Sequence, residues 1–309
     1  MKIVFMGTPA AAVPSLKKVV EDGHDVVAVY TQPDRPSGRG NKIVYSPVKQ
    51  FAIDHGLKVF QPVKIKTPEA LSEFESHQAD IAVVVAYGRI LAEGFLNAYL
   101  NGAVNVHFSL LPKYRGAAPV NWAIAEGETE TGVTTMKMDA GLDTGDVLLQ
   151  SSTQIGSEEN AIELMSRLSD SGAELLSQTL AHLPTITPQK QDNSRATLAP
   201  ILKKEDGRID WTMTAVRVSD RIRGFQPFPG SFTKIHGKRV KILAARPVIE
   251  TVNSGQPGQV IEAEPTGLLV ACGEDVLQLL EVQPEGKKRM VIADFLNGFR
   301  LKKGEVFGQ

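Results

Sequence analysis

Asn105 and His107 stand two residues apart where an apolar run gives way to the stretch Ser109-Leu110-Leu111-Pro112. If that run is a strand, both side chains leave it on one face. An Asn amide can donate to an oxygen on which negative charge develops. A His titrates near neutrality and can carry a proton away from an attacking amine. A third group, Asp143, lies in the Gly-rich acidic stretch Asp139-Ala140-Gly141-Leu142-Asp143-Thr144-Gly145-Asp146. From a turn there it can reach a neighbouring strand end and hold or polarise His107. The three together suit acyl-type transfer to an amine. Each alone has a plainer reading, His107 as a structural histidine and Asp143 as a turn residue.

Competing chemistries lack their residues. No Gly-x-Ser-x-Gly elbow is present, so no serine nucleophile is expected. The single cysteine, Cys272, cannot build a disulfide or a Cys-based metal site. The acidic turn lacks the ligand spacing of a calcium loop, and no metal is expected. Gly7 follows a first apolar run, but Thr8, Pro9 and three alanines come next instead of a dinucleotide fingerprint, and no Walker A sequence occurs. NAD and ATP are therefore excluded.

The elements that must position the three residues read as an alternation. Strand-like runs at 2–6, 25–30, 58–60, 81–86, 103–106 and 133–138 are interleaved with helical stretches at 13–21, 47–55 and 69–76. The β-branched run at 81–86 is the mark of a strand buried on both faces. This rhythm predicts an α/β domain with an open, Rossmann-like, mostly parallel sheet, whose ligands bind beyond the C-terminal strand ends. Residues 31–41 form a polar loop. Residues 157–183 read as one long helix, stopped by Pro184 and Pro188, and 185–206 as a polar linker. Beyond it, a short helix at 215–223 is followed by strands at 231–235, 239–244, 258–261, 268–271 and 276–282, with Gly and Pro between them. That spacing predicts a small OB-like β-barrel, closed by a helix at 292–299. The expected domains are 1–189 and 207–309, joined by a linker at 190–206.

The bulk numbers agree with such a protein. Its 309 residues are 42% hydrophobic and 22% charged, with net charge −1. No global field therefore draws it to nucleic acid or membrane. The charge is uneven, −5 over residues 1–206 and +4 over 207–309. Two readings remain open: chance variation, or a basic second domain that leans on an anionic partner. No run approaches the ~20 apolar residues of a membrane span, and the N-terminus lacks a signal-peptide pattern. A cytoplasmic protein without a membrane partner is expected.

The sequence Asn105-x-His107-x-Ser109-Leu110-Leu111-Pro112, followed by Arg115-Gly116 and paired with Gly141-Leu142-Asp143-Thr144-Gly145, resembles the two signatures of the folate-dependent formyltransferases. The resemblance implies that Asn105, His107 and Asp143 are catalytic and that Ser109, Leu110, Leu111 and Pro112 contact the reduced folate. Residues 83–91 are similar to the strand and turn that line the family's folate pocket, which implicates Val85, Tyr87 and Gly88. Phe108 departs from the small residue common at its position. The loop Thr31-Gln32-Pro33-Asp34-Arg35-Pro36-Ser37-Gly38-Arg39-Gly40 is similar to that of the branch acting on methionyl-tRNA, where it enters the acceptor end. Arg35, Arg39 and Lys42 are its cations for phosphate. Ile209-Asp210-Trp211 and residues 222–230 look like second-domain motifs of the same branch, with Lys287 and Lys288 as further tRNA contacts.

The resemblance thus implies a monomeric enzyme that moves the formyl group of 10-formyltetrahydrofolate to initiator methionyl-tRNA for translation initiation. A protonated His107 would help Asn105 stabilise the oxyanion. Two rivals stand beside this reading. One is a folate-dependent formyltransferase acting on a small amine, either a ribonucleotide amine or an amino sugar. The other is a non-catalytic RNA-binding protein on the same scaffold.

Overall fold

A computed structural model describes residues 1–37, 42–249, 255–264 and 267–308. The chain divides into two compact units. The first comprises Met1–Pro119, Glu130–Thr153 and Met165–Pro200, and the second Val120–Thr129, Gln154–Leu164 and Ile201–Gln309.

The first unit is built on a seven-stranded sheet. Its order across the sheet is Val147–Gln154, Glu130–Lys137, Ala103–His107, Ile81–Val85, Lys2–Gly7, Asp25–Tyr30 and Val59–Phe60. The strands from Ala103–His107 to Val59–Phe60 pair in parallel, while Glu130–Lys137 runs antiparallel to Ala103–His107. The sheet is thus mostly parallel, as the alternation predicts. All five residues of Ile81–Val85 and of Ala103–His107 are buried, so the two central strands are covered on both faces. One face packs Val4, Met6, Tyr30, Phe74, Val84 and Phe95 into a single core. Two of the helices, Pro47–Asp54 and Pro68–Ser76, begin with side-chain caps, Ser46 accepting from the amide of Lys49 and Thr67 from that of Ala70.

The structure departs from the sequence reading in several places, three of them near the site or its frame. The polar loop at 31–41 contains a short ribbon, Arg35–Ser37 paired antiparallel with Lys42–Val44. The edge strand Val147–Gln154 has no counterpart among the expected strands. Its second half is polar and exposed, so it lacks the alternation that marks a half-buried strand. The long helix runs Ala161–His182, not from 157, because Asn160 caps it. The Asn160 side chain accepts from the amide of Glu163 at 3.2 Å and the Glu163 carboxylate accepts from the amide of Asn160 at 3.0 Å, a reciprocal capping box.

In the second unit an antiparallel sheet runs Ser231–Ile235, Lys238–Val248, Val276–Pro284, Gly267–Ala271 and Val260–Glu264, with Met290–Val291 beside the third. Trp211, Val218, Ile222, Ile242, Leu277 and Phe295 fill its core. The Trp211 indole donates to the Thr233 hydroxyl at 3.1 Å, which satisfies the one polar atom it buries. This is the OB-like barrel domain expected from the strand spacing. Among the described residues no helix is long and apolar enough to cross a membrane.

Candidate active site

Asn105 and His107 point from the same face at the C-terminal end of Ala103–His107, and Asn105 lies in register with Val84 of the neighbouring strand. Both are nearly buried, at 8% and 5% exposure. The Asn105 side-chain amide has no hydrogen-bond partner among the described residues, which leaves its N–H groups for a ligand. His107 is fixed from both sides. Its Nε2 donates to the Tyr114 carbonyl at 3.0 Å, and its Nδ1 lies 3.7 Å from Asp143 Oδ2. The second distance is that of an ion pair and is too long for a hydrogen bond.

A carbonyl can only accept, so the ring proton sits on Nε2 and Nδ1 is left as a base. Burial pushes the His107 imidazole below its ordinary value. The Asp143 carboxylate and the Tyr114 carbonyl pull it back only in part. The net direction favours the neutral ring over the charged one in the resting protein. Desolvation of the charged form is the reason.

Asp143 reaches the site because its turn is tightly folded. It adopts a left-handed backbone at φ 52°, a conformation that Asp tolerates better than most residues. The carboxylate of Asp139 accepts from the Gly141 amide at 3.0 Å and the Thr144 hydroxyl at 2.7 Å. Gly145 packs so closely that a Cβ there would meet the Lys137 carbonyl at 1.7 Å. Asp143 Oδ2 also accepts from the Gly116 amide at 2.7 Å, a contact not foreseen.

The segment expected to touch folate is held as rigidly. Ser109 donates to the Lys113 carbonyl at 2.6 Å. The fully buried Thr134 hydroxyl donates to the Ser109 carbonyl at 2.6 Å and accepts from the Leu111 amide at 3.1 Å. An open cleft of about 500 Å³ lies beyond the ends of Lys2–Gly7, Asp25–Tyr30 and Ile81–Val85, lined by Thr8, Gln32, Asp34, Arg35, Tyr87 and Gly88 among others. That volume is within the range of small-molecule sites. Gln32 donates to the Tyr87 carbonyl at 3.1 Å and the Gly88 carbonyl at 3.3 Å. Of the seven residues assigned to folate, Tyr87 and Gly88 line this cleft. Val85 is fully buried in its strand, and Ser109, Leu110, Leu111 and Pro112 form the separate segment beyond His107.

Of the residues assigned to tRNA, Arg35 borders the cleft, while Lys287 and Lys288 are exposed on a turn of the second unit. Arg39 lies outside the described residues, and Lys42 opens the second strand of the short ribbon.

Sequence reasoning missed the polar shell around the three residues. Arg115 is 7% exposed and donates to Gln191 Oε1 at 3.1 and 2.7 Å and to Asn193 Oδ1 at 2.8 Å. Gln191 in turn donates to the carbonyls of Asp143 at 2.9 Å and Gly145 at 2.7 Å. Arg115-Gly116 follows the first signature after only Lys113 and Tyr114, and that nearness is the one available signal. Nothing in the polar stretch after Pro188 marks Gln191.

An uncommitted amide, a neutral imidazole base and a carboxylate, gathered at a strand end of a mostly parallel sheet, describe an enzyme of acyl-type transfer. Comparison with known families makes this specific. Residues 1–180 match the formyl transferase family and residues 201–300 match the formyl transferase C-terminal domain, and the chain belongs to this family of enzymes. Its relatives narrow the membership to the methionyl-tRNA formyltransferases. The one from Solibacter usitatus is 53% identical over 311 aligned residues, covering 100% of this chain and 99% of that protein. The one from Geobacter sulfurreducens is 48% identical, covering 100% and 97%. Among solved structures, an N-formyltransferase from Helicobacter canadensis, in complex with folinic acid and dTDP-3-aminofucose, aligns with a TM-score of 0.69. It is 22% identical, with 90% of this chain and 99% of that chain covered, and the likeness is one of fold.

Proposed function

We propose that this chain transfers the formyl group of 10-formyltetrahydrofolate to the α-amine of initiator methionyl-tRNA, giving formylmethionyl-tRNA and tetrahydrofolate. The observation that carries the reading is the Asn105 amide, unpartnered among the described residues, beside a His107 whose Nδ1 is the basic nitrogen. The neutral amine attacks the formyl carbon, and negative charge develops on the formyl oxygen. Asn105 donates to that oxygen. His107 Nδ1 takes the proton that the attacking amine must lose, and Asp143 stabilises the imidazolium that results. The proton then passes to the folate nitrogen as the carbon–nitrogen bond to the folate breaks. His107 is thus a base first and a cation only within the reaction.

Ser109, Leu110, Leu111 and Pro112, together with Val85, Tyr87 and Gly88, are assigned to the folate. Arg35, Arg39, Lys42, Lys287 and Lys288 are assigned to tRNA phosphates. The working division of the chain is a catalytic part at 1–189, a joining segment at 190–206 and a tRNA-binding part at 207–309, in a monomeric cytoplasmic enzyme. The test is formyl transfer to charged initiator tRNA, with charged elongator methionine tRNA beside it. Rapid transfer to the initiator alone is expected. Transfer to neither, with folate still bound, overturns the tRNA assignment in favour of a small amine such as an amino sugar.

A further inference from the structure

The stretch after the long helix is polar and contains proline, and its sequence reads as a connector. Residues 189–199 nonetheless make bonds throughout the first unit. Gln189 and Val147 exchange two backbone hydrogen bonds of 2.8 Å each, at the edge strand that follows the Asp143 turn. Leu198–Ala199 pairs in parallel with Arg115–Gly116. Gly116 has φ 123°, and a Cβ there would meet the Ala199 carbonyl at 2.6 Å, so this pairing leaves no room for a side chain at 116.

Two side chains of this stretch reach the backbone that carries the catalytic groups. Gln191 donates to the carbonyls on either side of the turn, Asp143 at 2.9 Å and Gly145 at 2.7 Å, while its own oxygen is held by Arg115. The Thr197 hydroxyl accepts from the Tyr114 amide at 2.9 Å. Tyr114 is itself in a left-handed conformation, φ 60°, and its carbonyl holds His107 Nε2. A left-handed non-glycine residue persists only where its surroundings over-determine it. Asp143 and Tyr114 are two such residues, and each is pinned by a side chain from residues 189–199.

We propose that residues 189–199 form a strap that positions the reaction centre. Gln191 fixes the backbone presenting Asp143, and Thr197 fixes the backbone whose carbonyl orients His107. Neither touches the reacting atoms, and both are positioning residues. The inference rests on the assignment of His107 and Asp143 to formyl transfer.

The test measures kcat, both KM values and thermal midpoint for the full chain and for four variants, Gln191→Met, Gln191→Glu, Thr197→Val and His107→Ala. Gln191→Met keeps the shape and removes every hydrogen bond. Gln191→Glu keeps the acceptor for Arg115 and loses the N–H groups that hold the two carbonyls. Both are expected to lower kcat by about ten- to a hundredfold, because small displacements of catalytic groups are costly, with each KM within about twofold. Thr197→Val is expected to lower kcat by about three- to tenfold on the same grounds, with the thermal midpoint nearly unchanged.

Parental kcat in Gln191→Glu overturns the proposal, since donation to the Asp143 turn is then dispensable. A kcat loss that only follows loss of folded protein overturns it too. If Gln191→Met does not fold, Thr197→Val decides, and parental kcat at an unchanged midpoint overturns the strap. His107→Ala separates the two layers. If it retains turnover, the active-site assignment itself is wrong. If it is inactive while the strap variants are normal, only the strap is wrong.

Discussion

His107 Nε2 and the Tyr114 carbonyl oxygen stand 3.0 Å apart, and this contact decides which face of the imidazole is basic. With the proton committed to Nε2, the nitrogen toward Asp143 is the one able to accept. Burial, which lowers the His107 value, favours that neutral form of the ring at rest.

That arrangement has a pH signature. Because burial lowers the His107 value below its ordinary 6.5, the neutral base persists to more acidic pH, and the acid limb of kcat should lie below pH 6.5. Asp143→Asn removes the group that favours the charged ring. The limb should then move lower still while the plateau falls. The same linkage bears on stability. Below 6.5 the unfolded chain takes up a proton that the folded chain resists, so this residue's contribution is full above 6.5 and is lost as pH falls toward the folded value. A pH–rate profile with an NMR titration of His107 checks both, and a limb above 6.5 counts against the assignment.

Asn105→Ala should act on turnover. Its amide has no hydrogen-bond partner among the described residues, and on the proposed reading it gains one when the oxyanion forms. The loss expected is about a hundred- to a thousandfold in kcat, with folate binding little changed. Steady-state kinetics with direct folate binding measure this, and a loss confined to KM would point to ground-state binding instead.

Thr134→Val tests the frame beneath the folate segment. It strips a buried hydroxyl from the Ser109 carbonyl and the Leu111 amide, both left without this partner. A destabilisation of about 1–3 kcal/mol is expected from such unsatisfied groups. Denaturant unfolding reads it, and an unchanged midpoint would mean that the segment finds other partners.

Gln32→Leu addresses the cleft. Gln32 links the Tyr87 and Gly88 carbonyls to Arg89, whose Nε donates to Gln32 Oε1 at 3.1 Å. If folate occupies this cleft, its KM should rise by about three- to tenfold with kcat nearly constant, the mark of weakened uniform binding. A fall in kcat at constant KM would move the folate elsewhere.

Replacing Lys287 and Lys288 together by alanine should weaken tRNA binding and flatten its dependence on salt, since each lysine that no longer meets a phosphate reduces the slope by about one. Binding measured at several salt concentrations distinguishes this from a general loss of fold. An unchanged slope would mean that these lysines are only solvated charges.

The sequence carried the frame of this site unevenly. The strand ending at His107, the same-face placement of Asn105 and His107, and the turn bearing Asp143 all follow from apolar runs and glycine spacing. Those signals report burial and turns, which are local. The tautomer of His107 depends on the Tyr114 carbonyl, a backbone atom that any residue would supply. The hold on Asp143 depends on Gln191, whose partner carbonyls are 48 and 46 residues away in the chain. Hydrophobic periodicity has nothing to say about such pairings. It also misses the edge strand Val147–Gln154, where one face meets water and the residues are mostly polar.

The pairing of Leu198–Ala199 with Arg115–Gly116 also bears on how the protein is made. Asn105, His107 and Asp143 all leave the ribosome before the residues that brace them, and Tyr114 waits 83 residues for Thr197. Closing so long a loop comes late and slowly relative to local structure. On the proposed reading, the nascent chain carries these side chains for some time without the strap that positions them, and full turnover waits until the last dozen residues of the first unit have docked.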